Sequence, residues 1–350
     1  MFLYEKNGKL NIQFGSGQIP TPTPSLELDK NELRIGATIV PESGEIVTKA
    51  VKMADEYFDT IQDAIDNAEM GAVITLLSNL ESEKCEIGKE QDIVIDLNGY
   101  KLTNKGDVHT IVNKGKVTVL DSSNTDKGEV DNTAHQHAAF YNDIDATATL
   151  IGCTFNRSQD AGTSSSANGN SWYTIFNQGN LVLNGDIKVL QNNAGYSSLI
   201  ENGWYDGTKN TEKKIAKLII NSGEFTNGKN TVKNDDFGFL IIDDGKFTNN
   251  GDGAVVLTYN EATINGGEFI ASGNTTGVIG GGYINDESDK GIVIINGGIF
   301  KANNTTKNLF SVGGSVVEGG SVTINEGTFY GNIEKTLPYE VINNGGKIIA

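Results

Sequence analysis

The sequence predicts an all-β chain wound as a parallel β-helix, with three short strands to each coil and an N-terminal cap helix. Three observations predict it. The 350 residues include 43 glycines against 5 prolines, an excess that marks many tight turns without the triplet period of collagen. The stretch "INSGEFTNG" at Ile220 returns as "IDDGKFTNN" at Ile242 and as "INGGEFIAS" at Ile264, so one supersecondary unit is repeated. Ahead of these repeats, one helical period gives way to unbroken strand-like runs.

Residues 1–19 alternate weakly in "LYEKNGKLNIQF", with a hairpin signal at Asn7 and Gly8, and are too short to bury a core. They read as an N-terminal docking segment. Residues 20–25 follow as a stiff linker, because Pro20, Pro22 and Pro24 favour extended polyproline geometry. Residues 26–54 read as a small β connector, and residues 55–350 as the β-helix. At its start "YFDTIQDAIDNAEMG" sets Phe58, Ile61, Ala64, Ile65 and Ala68 on one helical face. Asp59 or Thr60 supplies the N-cap and Gly71 the stop. "AVITLLSNL" and "DIVIDLNGYKLT" then read as strands, with a turn at Asn98 and Gly99.

Aligning the repeats places an apolar anchor at Val130, Phe155, Ile187, Phe225, Phe247, Phe269, Phe300 and Phe329, at intervals of 25, 32, 38, 22, 22, 31 and 29 residues. A minimum near 22 matches one coil of three strands, and longer coils carry insertions. Within the unit, Ile points inward, Asn or Asp turns the corner, Gly supplies a positive φ, and Phe points inward on the next strand. Coils stacked ~4.8 Å apart predict a run of stacked rings from Phe225 to Phe329. They also predict a corner ladder of Asn221, Asp243, Asn265, Asn296 and Asn325. The repetition is therefore architectural, and function belongs where it is broken.

The longest breaks carry the two tryptophans of the chain, each beside a tyrosine: Trp172 with Tyr173, and Trp204 with Tyr205. Aromatic faces beside Asn and Asp in Gly-rich loops suit sugar rings, so these four are the candidate carbohydrate-binding residues. The alternative is that each Trp packs its loop against the helix flank or fills a subunit interface. Paired acids recur at Asp143 and Asp145, Asp235 and Asp236, Asp243 and Asp244, and in Asp286, Glu287 and Asp289. A glycoside hydrolase needs two acids ~5–9 Å apart, but spacing marks out no pair, and no catalytic residue is assigned. His135 and His137 read as sharing one strand face with His109 a coil earlier, a pattern short of a metal site. No phosphate-binding loop is present, and no cofactor is expected.

A net charge of -18 argues against nucleic acid as a partner. No apolar run reaches the ~20 residues of a membrane span. Cys85 and Cys153 lie several coils apart and are expected as buried free thiols. The start of the chain lacks the apolar region and cleavage site of a signal peptide.

"FDTIQDAIDNAEMGAVITLLSNL" with "DIVIDLNGYKLT", and the later "INGGEF" coils, resemble the pectate-lyase-like right-handed β-helix superfamily over residues 55–350. That resemblance implies the fold and its hand, and no activity: the superfamily includes lyases, hydrolases, adhesins and phage fibres or tailspikes. "LYEKNGKLNIQFG" with its Pro-Thr spacer resembles the virion-docking segments of bacteriophage head fibres and decoration proteins. Together they imply a virion protein, made in the host cytoplasm and docked to other virion proteins through residues 1–25. A homotrimer that binds a host surface glycan is the implied form. "YEVINNGGKIIA" shows no capping helix, and open coil edges favour assembly. The rival expectation is a polysaccharide depolymerase working along the Trp172 and Trp204 loops. A bacterial surface adhesin is the third.

Overall fold

The computed structural model describes residues 49–81, 84–134, 136–158, 172–191, 197–273, 277–281, 289–302, 308–310, 320–333, 337 and 339–349, with strand backbones at 2–6, 9–13, 38–39, 47–48 and 311. The proline linker, the Asn7–Gly8 turn, His135, Asp286, Glu287 and most of the insertion before Trp172 lie outside them.

The chain is a right-handed parallel β-helix. Each coil visits three sheets in the same order. The coil beginning at Lys116–Leu120 continues through Glu129–Asn132 to Phe140–Asn142, and the next begins at Thr147–Ile151. Among the described residues the first sheet has 13 strands, the second 11 and the third 9. Strands of successive coils, among the described residues, pair in parallel, which satisfies the backbone groups of each coil with those above and below.

Alternation along each strand sends one set of side chains into a continuous core. On the first sheet these include Val119, Leu150, Leu183, Leu218, Leu240 and Val293, all buried. On the second sheet the anchors Phe225, Phe247, Phe269, Phe300 and Phe329 stack with centroids 4.6, 4.8, 4.7 and 4.5 Å apart and planes within 8°. Register extends the column back through Val130 and Phe155. It places Val189, not Ile187, between Phe155 and Phe225. Ile187 is buried one turn earlier, because the strand begins only at Lys188.

The corner before each Phe works as the repeat implies. Gly223, Gly245, Gly267, Gly298 and Gly327 have φ between +103° and +131°. A Cβ on Gly245 would sit 3.1 Å from the Phe247 ring and 3.2 Å from the Gly223 carbonyl, so the ring stack and the glycine column require each other. The corner ladder runs Asp243, Asn265, Asn296, Asn325, Asn344, with amide-to-oxygen distances of 2.7, 2.8, 2.9 and 3.0 Å; it gains Asn344 and does not include Asn221, which the repeat placed at its head.

The first coil carries two features absent from the repeat. Val51–Met53 and Glu56–Phe58 form an antiparallel hairpin on the edge of the first sheet. The helix Ile61–Asp66 starts at Thr60, whose hydroxyl accepts from the Asp63 amide, and packs against that hairpin and the strands at 73–76 and 86–87. It stops at Asn67, four residues before Gly71, where the last turn tightens: the Ala68 amide donates to the Ile65 carbonyl at 3.1 Å, and the Gln91 side chain donates to the same oxygen at 2.6 Å. Gly71, at φ +81°, instead turns the chain into the next strand. Phe2–Lys6 and Lys9–Gln13 pair with each other in the two-residue register the Asn-Gly signal implies. Thr38–Ile39 and Val47–Thr48 make a second small hairpin. Cys85 and Cys153 are buried free thiols, both pushed up to about 12 by burial. Among the described residues no helix is long and apolar enough to cross a membrane.

Candidate functional site

The third sheet holds its coils with a device of its own. Its strands end in Asn113, Asn142, Asn177, Asn202 and Asn234, all fully buried. Each amide donates to the next oxygen at 2.8, 2.8, 2.7 and 2.7 Å, and Asn234 donates to Thr258 at 2.7 Å. This ladder fixes the register of the residue just before each Asn, which faces outward. Along the coils that outward column reads Val112, Tyr141, Phe176, Glu201, Lys233, Leu257.

The upper part of the column is an aromatic rail. The His109 and Tyr141 rings lie 5.0 Å apart, Tyr141 and Phe176 5.2 Å, and Phe176 and Tyr173 5.4 Å, with Trp172 5.1 Å from Tyr173. Trp172 keeps its indole N–H buried without a hydrogen-bond partner among the described residues. His137 meets His109 edge-on at 5.1 Å but sits in the connection before Phe140–Asn142 and on no strand face, and His135, expected beside it, lies outside the described residues. The Ala138 amide donates to His109 Nδ1, and burial beside His137 and Arg157 lowers that ring to about 4. His137 Nε2 lies 2.8 Å from Asp107.

Below the rail lies a cluster of charge. Lys233 contacts Asp235 directly and lies 3.5 Å from Glu201, which is 0% exposed. Burial first, and then the neighbouring Asp235, raises Glu201 well above the usual carboxyl range against the pull of Lys233. Its Oε2 has no hydrogen-bond partner among the described residues. Burial works against the charge of Lys233, but Glu201 and Asp235 outweigh it and hold the ammonium above its ordinary range. The ammonium also lies 4.9 Å from the Tyr205 ring and 5.5 Å from that of Tyr259. The charges of Glu201 and Asp235 reach Tyr173 as well, where they add to burial in raising its phenol. Tyr173 and Tyr205, one from each candidate pair, thus converge on a single buried triad.

The insertion after Asn202 builds the lower wall. Gly203, at φ +112°, lets the chain pass the Asp236 carbonyl, where a Cβ would come within 2.5 Å. Trp204 then bridges to Asp236 and packs edge-on against Phe237 at 6.1 Å. It is 4% exposed, which leaves its ring no face for a ligand. Tyr205 by contrast is 76% exposed. The Asp236 carboxylate accepts from the Gly207 amide, and Lys214 ties the end of the insertion to Asp145 at 2.9 Å. Of the other paired acids, Asp243 belongs to the corner ladder, and Asp143 accepts from the Tyr141 hydroxyl.

A second concavity, an open groove of about 970 Å³, runs along the glycine corners of the first and second sheets. Its glycines answer to the Phe stack, and its charges pair across coils, as in Lys188 with Glu224 at 3.2 Å and Lys301 with Glu268. The third-sheet face is the stronger candidate because its charge is buried and incompletely satisfied. Among the described residues no group of three or more His, Cys, Asp or Glu is placed to hold a metal.

Glu201 and Lys233 escaped the sequence reading, which followed only the Gly-Phe unit. A second repeat of apolar, variable, Asn ("IVN", "FYN", "IFN", "IEN", "VKN") aligns them and was there to be found. Comparison with protein-family models, curated proteins and solved structures finds no match to this chain.

Proposed function

We propose that this protein is a virion structural component of a bacteriophage, a fibre, spike or head-decoration protein. Residues 1–25 dock it to other virion proteins, and the β-helix stands outward with the third-sheet face as a surface for host glycans. The observation that carries the reading is the exposed Tyr205 beside Lys233, Glu201 and Asp235, at the end of an aromatic rail in which Phe176, the neighbour of Glu201, packs on Tyr173. An exposed ring face such as that of Tyr205 suits the C–H face of a sugar, and the buried triad beneath it holds the ring in place. Trimerisation through the flanks fits the same reading.

One observation favours the rival depolymerase. Glu201 and Asp235 share a single ammonium, so their carboxyl groups stand only a few ångströms apart. Glycoside hydrolases work with two carboxyl groups ~5–9 Å apart, and this pair is at or below the short end of that range. The choice is made by exposing host-cell polysaccharide to the full chain. Retention with no new reducing ends supports the fibre, with Tyr205→Ala weakening retention at least about tenfold, the loss of one stacking ring. Chain-length reduction that Glu201→Gln abolishes favours the enzyme. Absence of the chain from purified particles would sink the virion assignment.

A further inference from the structure

Glu201 and Lys233 are direct register partners on adjacent coils of the third sheet, and Asp235 follows two residues after the lysine. All three are buried; the Lys233 ammonium touches Asp235 and lies 3.5 Å from one Glu201 oxygen. The Glu201 carboxyl carbon is one bond beyond that oxygen, near the roughly 3–3.5 Å at which atoms are poised to react. The other oxygen, Oε2, has no hydrogen-bond partner among the described residues. Phe237 stands at φ +58°, a conformation that a bulky residue keeps only under constraint, and the Gly238 amide closes the turn on the Asp235 carbonyl at 2.8 Å. That turn fixes the backbone from which Asp235 meets the ammonium. On the second sheet Lys101 likewise lies 3.1 Å from Glu129 and 2.9 Å from Asp131, but its side chain is 37% exposed, and the trio is an ordinary hydrated ion pair.

We infer that Lys233 and Glu201 condense into an amide bond, a covalent staple between the two coils that the Tyr205 insertion separates along the chain. Burial favours the neutral acid of Glu201, the form of a carboxyl group that an amine can attack. The acids around Lys233 hold its ammonium charged against loss of a proton to water, so the touching Asp235 carboxylate takes that proton as a general base. The freed lone pair forms the N–C bond with Glu201 Cδ. The acid's C–O bond breaks, its hydroxyl leaves as water with a second amine proton, and Asp235 keeps the first. No oxidant, cofactor or second substrate is required. Bulk water would favour hydrolysis, whereas a site closed to water holds the two groups, fixed by register, at high effective concentration. The bond closes the loop from 201 to 233 and so constrains the unfolded chain. It leaves the exposed Tyr205 ring free for a glycan and consumes the Glu201 that a depolymerase would need, so it rests on neither reading.

Intact-mass measurement on the denatured full chain, followed over days at neutral pH, tests it. The expected mass is lower than the sequence value by one water, and trypsin should release residues 189–209 joined to residues 230–246, uncut after Lys233. Lys233→Arg keeps the positive charge and should show its full mass, with circular dichroism checking the fold. Asp235→Asn keeps both partners and removes the base, and should slow the loss of water at least about tenfold. A wild-type chain at full mass throughout, a water lost elsewhere, as at an Asp-Gly bond, a link within residues 230–246 alone, or an unchanged rate in Asp235→Asn overturns the inference. Retention of polysaccharide is a separate readout, so the staple and the glycan reading fail independently.

Discussion

The two asparagine ladders are one chemical device placed in two surroundings. At the corner between the first and second sheets, Asp243 to Asn344 link at 2.7–3.0 Å in contact with water. At the end of the third sheet, Asn113 to Asn234 link at 2.7–2.8 Å, sealed from it, and their amides also reach backbone carbonyls such as Thr147, Asn180 and Lys217. Water competes for the first set and not for the second, so the same bond carries different weight. This difference bears on function. The exposed corner is closed by glycine and phenylalanine and is nearly invariant from coil to coil. The buried ladder holds its strand ends so firmly that the chain beyond Asn202 can leave, build the Tyr205 wall and return at Ala216 without loss of register.

The sharpest way to break the regular corner is to empty the ring stack beneath it. Phe269 lies between Phe247 and Phe300 at 4.8 and 4.7 Å with no exposed surface. Phe269→Ala should cost about 3–5 kcal/mol, read as a lowered denaturant midpoint, because buried area is lost and a cavity opens between rigid neighbours. On the other side, Asn177→Ala strands the Asn202 side-chain oxygen in the interior, takes the Asn177 side-chain oxygen from the Gly179 amide, and leaves the Asn142 amide only its bonds to backbone carbonyls. A loss of about 3 kcal/mol is expected, since each stranded group keeps its desolvation cost. A loss below 1 kcal/mol would mean that water enters the ladder and that the two corners do not differ.

What could be read from the sequence follows the same division. The Gly-Phe unit was legible because its glycine and its ring are chemically rare choices that coincide, and both are dictated by one local contact. The Phe column, the turn at Asn98 and Gly99, and the free thiols come from such local rules. Ile187 was misassigned because its neighbour Val189 is equally apolar, and only register with Phe155 and Phe225 separates them. The helix ends before Gly71 because its last turn tightens at Ala68, and the side chain that secures that turn, Gln91, comes from 26 residues away in sequence. Glu201 and Lys233 looked like ordinary surface charges; burial by Tyr173, Tyr205 and Tyr259, brought from three different coils, is what makes them unusual.

The third-sheet side should also be the more sensitive to acid. His109 is held at about 4 in the folded chain against 6.5 unfolded, by burial first and then by its neighbours His137 and Arg157. Between those values the unfolded chain binds a proton that the folded chain refuses. Stability is therefore complete above pH 6.5 and falls as pH drops towards 4, by on the order of 2 kcal/mol. His109→Asn retains an oxygen for the Ala138 amide and removes the titration. Its melting temperature should vary less with pH across that window than that of the parent, and an unchanged slope would assign the acid sensitivity to other groups.

The smallest expected effect is the one that defines the comparison. Asn296 accepts from Asn325 and donates to Asn265 on the exposed corner, so Asn296→Ala removes two bonds of good length. Its neighbours can turn to water instead, and the loss should stay below about 1 kcal/mol. Because the partners lie in adjacent coils, the double variant Asn265→Ala, Asn296→Ala should cost little more than the larger single loss. The same cycle on Asn142 and Asn177 should show strong coupling, since removing both members of a buried pair strands fewer groups than the two single losses combined. Equal coupling at both corners would show that burial does not set the strength of these ladders, and the freedom of the chain beyond Asn202 would then need another cause.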